Sequence, residues 1–118
     1  MNIDQSAILA VSPDREVARF RHEALTGAGF RIFSVHTESA ARYEISFGRC
    51  GVLLLCHLLK RESRNDLASY FHKWCPSPCV VSILASHNDE YPPQTAISVV
   101  HSNDPGALVQ ALQNRMAA

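Results

Sequence analysis

Nothing in this 118-residue chain approaches the ~18 consecutive apolar residues that a membrane-spanning helix needs. An excess of either charge is also missing, because eleven Lys and Arg balance eleven Asp and Glu. A neutral surface carries no broad electrostatic footprint for nucleic acid or anionic lipid. Glycine is scarce, at five residues, and none of it forms a phosphate-cradling loop. There is no internal repeat and no low-complexity tail. Met1-Asn2-Ile3-Asp4-Gln5-Ser6 lacks the basic stretch and apolar core of a signal peptide. These absences lead to the expectation of a cytoplasmic protein with no nucleic-acid or membrane partner.

What remains is ordinary for a globular chain. With 47% apolar and 19% charged residues, a packed core is affordable. The length suits one domain, 1–118, that buries roughly two-thirds of its unfolded surface. Of the four cysteines, Cys50, Cys56, Cys75 and Cys79, three lie in or beside apolar strand-like segments, as reduced thiols often do.

Ala7-Ile8-Leu9-Ala10-Val11 is a short continuous apolar run, the mark of a strand covered on both faces. Ser12 can cap a helix with Pro13 in its first position. Asp14 and Glu16 then put negative charge where the helix dipole favours it. That helix runs to about Thr26, with Val17, Phe20, Ala24 and Ala28 near one stripe. A second strand covers 30–35. Thr37 caps a helix over 38–47 that Gly48 ends. A third strand, 52–56, is followed by a polar loop over 60–64. Leu67, Tyr70, Phe71 and Trp74 follow the i, i+3, i+4, i+7 pattern of a third helix. Cys75-Pro76-Ser77-Pro78 breaks it. Strands follow over 79–84 and 96–100, and Asp104-Pro105 opens a last helix with Leu108, Ala111 and Leu112 inward.

Strands alternating with amphipathic helices predict an open, doubly wound α/β domain with right-handed crossovers. Five strands and about four helices fit the flavodoxin-like order 2-1-3-4-5. The segment 85–95 is polar and broken by proline, so its crossover helix is expected to be short or absent.

The opening strand with its polar end, Ile8-Leu9-Ala10-Val11-Ser12-Pro13-Asp14, resembles that of response-regulator receiver domains. So do Gly29-Phe30-Arg31-Ile32, Val52-Leu53-Leu54-Leu55-Cys56, Pro78-Cys79-Val80-Val81 and Asp104-Pro105-Gly106-Ala107-Leu108, taken in order. In receivers, two acidic residues after the first strand and an acceptor aspartate hold magnesium through carboxylate oxygens. Here that acidic pair falls on Ser12 and Pro13, leaving only Asp14 nearby. The acceptor falls on Cys56 and the phosphate-pairing lysine on His101. The hydroxyl after the fourth strand falls near Ile83 or Leu84, with Ser82 and Ser86 close by. The resemblance therefore implies a pseudo-receiver in two-component signalling: not an enzyme, without a cofactor, and not phosphorylated by the aspartate–magnesium route. It would act by protein contact. Its protein partner is not readable, and a homodimer through the first or last helix is a further expectation.

Other constellations have plainer readings. Cys56, His57, His87 and His101 would gather near the carboxyl edge of the sheet, where thiolate and imidazole suit a borderline metal or a redox sensor. Against this, no ligand spacing supports a site, and Cys56 also reads as a small buried hydrophobe. A nucleophilic Cys56 lacks an oxyanion loop, and Arg61 falls one position short of the Cys-x5-Arg spacing. Cys75 and Cys79 could pair, but read more simply as a helix end and an inward strand residue. Arg15, Arg19, Arg21 and His22 read as a solvated helix face. Tyr70, Phe71 and Trp74 read as mostly core, with Trp74 part-exposed.

Overall fold

A computed structural model describes residues 4–75, 78–83, 97–99 and 105–116. The elements run β1 (Asp4–Val11), α1 (Arg15–Gly27), β2 (Ile32–Val35), α2 (Glu38–Phe47), β3 (Cys50–Leu55), α3 (Arg61–Trp74), β4 (Cys79–Ile83), β5 (Ile97–Val99) and α4 (Pro105–Met116). The strands form one parallel sheet in the order β2-β1-β3-β4-β5, as the alternation of elements predicts. The segment 85–95, whose crossover helix is expected to be short or absent, lies outside the described residues. Among the described residues, no helix is long and apolar enough to cross a membrane.

The central strand explains the layering. Every residue of β3 is buried, so both faces of the sheet must be covered. Leu53 and Leu55 pack with Leu67, Ala68 and Phe71 of α3 and Ala41 and Ile45 of α2. Val52 and Leu54 pack on the other face with Leu25 of α1 and Leu108 and Leu112 of α4. The period-2 alternation of a strand sends neighbouring leucines into two different cores.

Helix ends follow local chemistry, with one correction. Thr37 Oγ1 accepts from Ala40 N at 3.1 Å and Gly48 ends α2 in the left-handed region, both as expected. For α1, the cap is Asp14 and not Ser12. Asp14 Oδ1 accepts from Glu16 N at 2.9 Å and from Val17 N at 3.2 Å. Ser12 is still part of the sheet end, where its N–H donates to Val35 O at 3.0 Å. It cannot also cap a helix that begins three residues later.

The buried stripe of α1 is also corrected. Ala18, Arg21 and Leu25 face inward, while Phe20 is 60% exposed and Val17 is half-buried. An arginine in the middle of the true stripe turns the apparent apolar face by about one residue, or ~100°. The polar loop expected over 60–64 is shorter than that, because α3 already starts at Arg61. β2 begins at Ile32 because Phe30 N is used to close α1, donating to Leu25 O at 3.1 Å. Trp74 is half-exposed at the end of α3, whereas Leu67 and Phe71 are sealed. Cys75 is buried, Cys79 is half-buried against the α1-side core, and neither is in a disulfide.

Candidate functional site

β3 ends at Leu55, but the chain stays tied to the sheet for one more residue. Cys56 N donates to Val11 O at 3.1 Å, so Cys56 sits beside the end of β1. The alternation along β3 puts its side chain on the α1 face, where it is 1% exposed. Leu59 N returns to Cys56 O at 3.1 Å and closes a turn. That turn aims Leu58 N at Cys56 Sγ, 3.4 Å away.

The partner of the sulfur comes from α1. Arg21 Nη1 donates to Cys56 Sγ at 3.0 Å, and Arg21 Nη2 lies 3.2 Å from His57 Nδ1. The planar guanidinium fork thus spans two consecutive residues of the β3–α3 turn. Arginine has no acceptor, so His57 Nδ1 must accept, and the assigned tautomer carries its proton on Nε2. Sγ and His57 Nδ1 are 3.7 Å apart. Arg21 is only 5% exposed, which corrects the reading of it as part of a solvated face. A buried guanidinium is tolerable because both of its ends meet an acceptor.

The other expected pocket residues are distributed as follows. Ser12 is buried beside Cys56; its carbonyl lies 3.1 Å from His36 Nδ1 and its hydroxyl donates to Asp14 O at 3.1 Å. Pro13 and Asp14 are exposed, and Asp14 spends its carboxylate on the α1 cap. His87 and His101 lie outside the described residues. Register pairs Leu55 with Ser82, which places Ile83 level with Cys56. Ile83 is buried on the α1 side, and Ser82 projects to the opposite side of the sheet.

These residues do not fit magnesium. The ion wants several carboxylate oxygens, yet of the positions that the resemblance marks only Asp14 carries a carboxylate, which caps a helix, and a cation already lies against the sulfur. At a few ångströms, a second positive charge would be repelled by several kcal/mol, about 4 at an effective dielectric of 20. Among the described residues, no group of three His, Cys, Asp or Glu could hold a metal.

Arg21 is the residue that sequence reasoning missed. Its signal was present, because Ala18, Arg21 and Leu25 are spaced i, i+3, i+7 on one face. Beside the site lies a groove of about 600 Å³ between α1 and the β3–α3 turn, where Val17, Phe20 and Leu58 alternate with the charged Glu16, Arg19 and Glu23. Phe20 and Leu58 are 60% and 47% exposed there.

The architecture is that of response-regulator receiver domains. A receiver domain (CheY-like) from Methylobacillus flagellatus superposes with a TM-score of 0.79 at 18% identity, over 92% of this chain and 97% of that one. A response regulator from Thermotoga maritima gives 0.79 at 13% identity, over 95% and 98%. A CheY-like receiver domain protein from Methanospirillum hungatei gives 0.76 at 15% identity, over 96% and 95%. At these identities the likeness establishes the fold. No family model and no curated protein matches the chain.

Proposed function

We propose that this chain is a single-domain pseudo-receiver, 1–118, that works in the cytoplasm by protein contact and without catalysis. The observation that carries this reading is Arg21 Nη1 lying 3.0 Å from Cys56 Sγ. A receiver needs a carboxylate nucleophile there and a metal beside it. This chain has a thiol and a built-in guanidinium. The fork joins α1 to the β3–α3 turn, so the pocket serves as a structural joint rather than a reaction centre.

The groove next to that joint supports contact as the mode of action. Phe20 and Leu58 are large apolar side chains left in solvent beside the β3–α3 turn, and aromatic residues such as Phe20 are enriched at protein interfaces. A protein partner, or a second copy of the chain through α1, would cover them. No cofactor is required.

The test uses acetyl phosphate and magnesium on the full chain, read by intact mass. The wild type and Cys56→Asp should both remain without a phosphoryl adduct. An adduct on wild type would overturn the reading. Sedimentation at high micromolar concentration tests self-association, which Phe20→Ser should weaken.

One observation favours a second reading, thiol chemistry at Cys56. Its sulfur receives both the Arg21 guanidinium and the Leu58 N–H, and cationic surroundings of this type occur around reactive thiols. A Cys56→Ala variant that leaves the rate of thiol labelling of the folded protein unchanged would eliminate it.

A further inference from the structure

The other face of the sheet carries a polar cluster that the contact reading does not use. Arg64, in the first turn of α3, is 8% exposed, and its Nε and Nη1 are buried without a hydrogen-bond partner. Ser82 Oγ on β4 is likewise buried and unpartnered, in a residue that is 0% exposed. Native interiors leave few such atoms, and each calls for an explanation.

The two residues lie at the same level. Cys75 Sγ reaches Cys50 O at 4.0 Å, which ties the end of α3 to the start of β3. From Cys75 back to Arg64 is eleven residues of sequence, about 16 Å of helix. Five strand residues, about 16 Å, lead from Cys50 to Leu55. Leu55 pairs in register with Ser82. Val80 packs in the α3-side core with Leu67, Ala68 and Phe71, and Ser82 projects to the same side two residues later.

Nothing described neutralises Arg64. The nearest carboxylates on its own helix, Glu62 and Asp66, are exposed and lie ~160° around the axis. On the neighbouring α2, Glu38 pairs with Arg42 and Glu44 with Arg49. Helical side chains lean toward the N-terminus, so Arg64 leans toward the first turn of α3. Lys60 gives that turn no side-chain cap. A water molecule would satisfy hydrogen bonds but not the buried charge, which demands an anion.

We propose that a small inorganic oxyanion of the phosphate class binds between the first turn of α3 and β4, held by Arg64 and Ser82. Asn65 Oδ1, a fourth orphan atom, on the next residue of α3, becomes a donor once its amide is flipped. The site lies across the sheet from Cys56 and does not depend on the contact reading.

The experiment is thermal melting of the full chain in phosphate-free buffer, titrated with inorganic phosphate at constant ionic strength. Wild type should show a saturable rise of about 5 °C at ten times the Kd. Arg64→Met should melt higher than wild type without phosphate and give no rise with it. Ser82→Ala should raise the apparent Kd about tenfold. Arg49→Met, which removes an exposed arginine, should respond as wild type does. Absence of a saturable rise in wild type, or an equal rise in Arg64→Met, overturns the proposal. Should Arg64→Met fail to fold, an unchanged Kd in Ser82→Ala overturns it.

Discussion

Arg21 and Arg64 are both buried in this domain, on opposite faces of one sheet, and their surroundings differ. Arg21, on α1, meets a sulfur and an imidazole and is saturated from within the chain. Arg64, on α3, leaves Nε and Nη1 without a partner. Both sit in inward stripes of amphipathic helices, where a charge is costly unless it is matched. The contrast teaches that burial alone does not tell what an arginine does. A matched one is a structural joint, and an unmatched one asks for an anion.

The sharpest way to break that comparison is to remove each charge. Arg21→Ala opens a cavity and strips donors from Cys56 and His57, so stability should fall by about 2–4 kcal/mol. Arg64→Met keeps volume and removes an unpaired charge. In phosphate-free buffer it should raise stability by about 1–3 kcal/mol. Urea denaturation measures both, and two shifts of the same sign would defeat the comparison.

A smaller effect tests the joint from its other end. Cys56→Ala takes the sulfur acceptor away from the fork and should cost about 1–3 kcal/mol. Arg21→Ala and Cys56→Ala combined should cost less than the sum of the two, because they share one contact. Full additivity would mean that the 3.0 Å contact contributes nothing to stability.

The α1 cap separates the joint from the helix that carries it. Asp14→Ala should cost about 1 kcal/mol, the usual loss for a helix cap, and Ser12→Ala should cost less by this route. The reverse order would restore Ser12 as the cap. The least effect on stability is expected at the groove. Phe20→Ser and Leu58→Ser should each stay within about 0.5 kcal/mol of wild type. If they also leave association with a partner or second copy untouched, the groove is not the contact surface.

Much of the fold was legible because its signals are local. The apolar run Ala7-Ile8-Leu9-Ala10-Val11 and the fully buried β3 announce strands covered on both faces, and Thr37 and Gly48 bracket α2 by chemistry that needs no tertiary partner. The site was half legible. Cys56 stood out as a thiol at the end of a central strand. Its partner did not, because a charged residue at an inward position looks like evidence for an outward face. The same reason sent the stripe of α1 toward Phe20, which is in fact solvent-exposed.

By itself, the sequence determined the order of elements, the parallel sheet and the absence of a carboxylate at the end of β3. Each rests on side-chain period or residue identity, which are properties of neighbours along the chain. Only the tertiary structure decided that Arg21 crosses 35 positions to Cys56 and that Arg64 Nε and Nη1 and Ser82 Oγ meet no hydrogen-bond partner among the described residues. Whether a buried charge is matched depends on which groups folding brings within hydrogen-bond reach, and that distance is not written in the spacing of residues along one strand or helix.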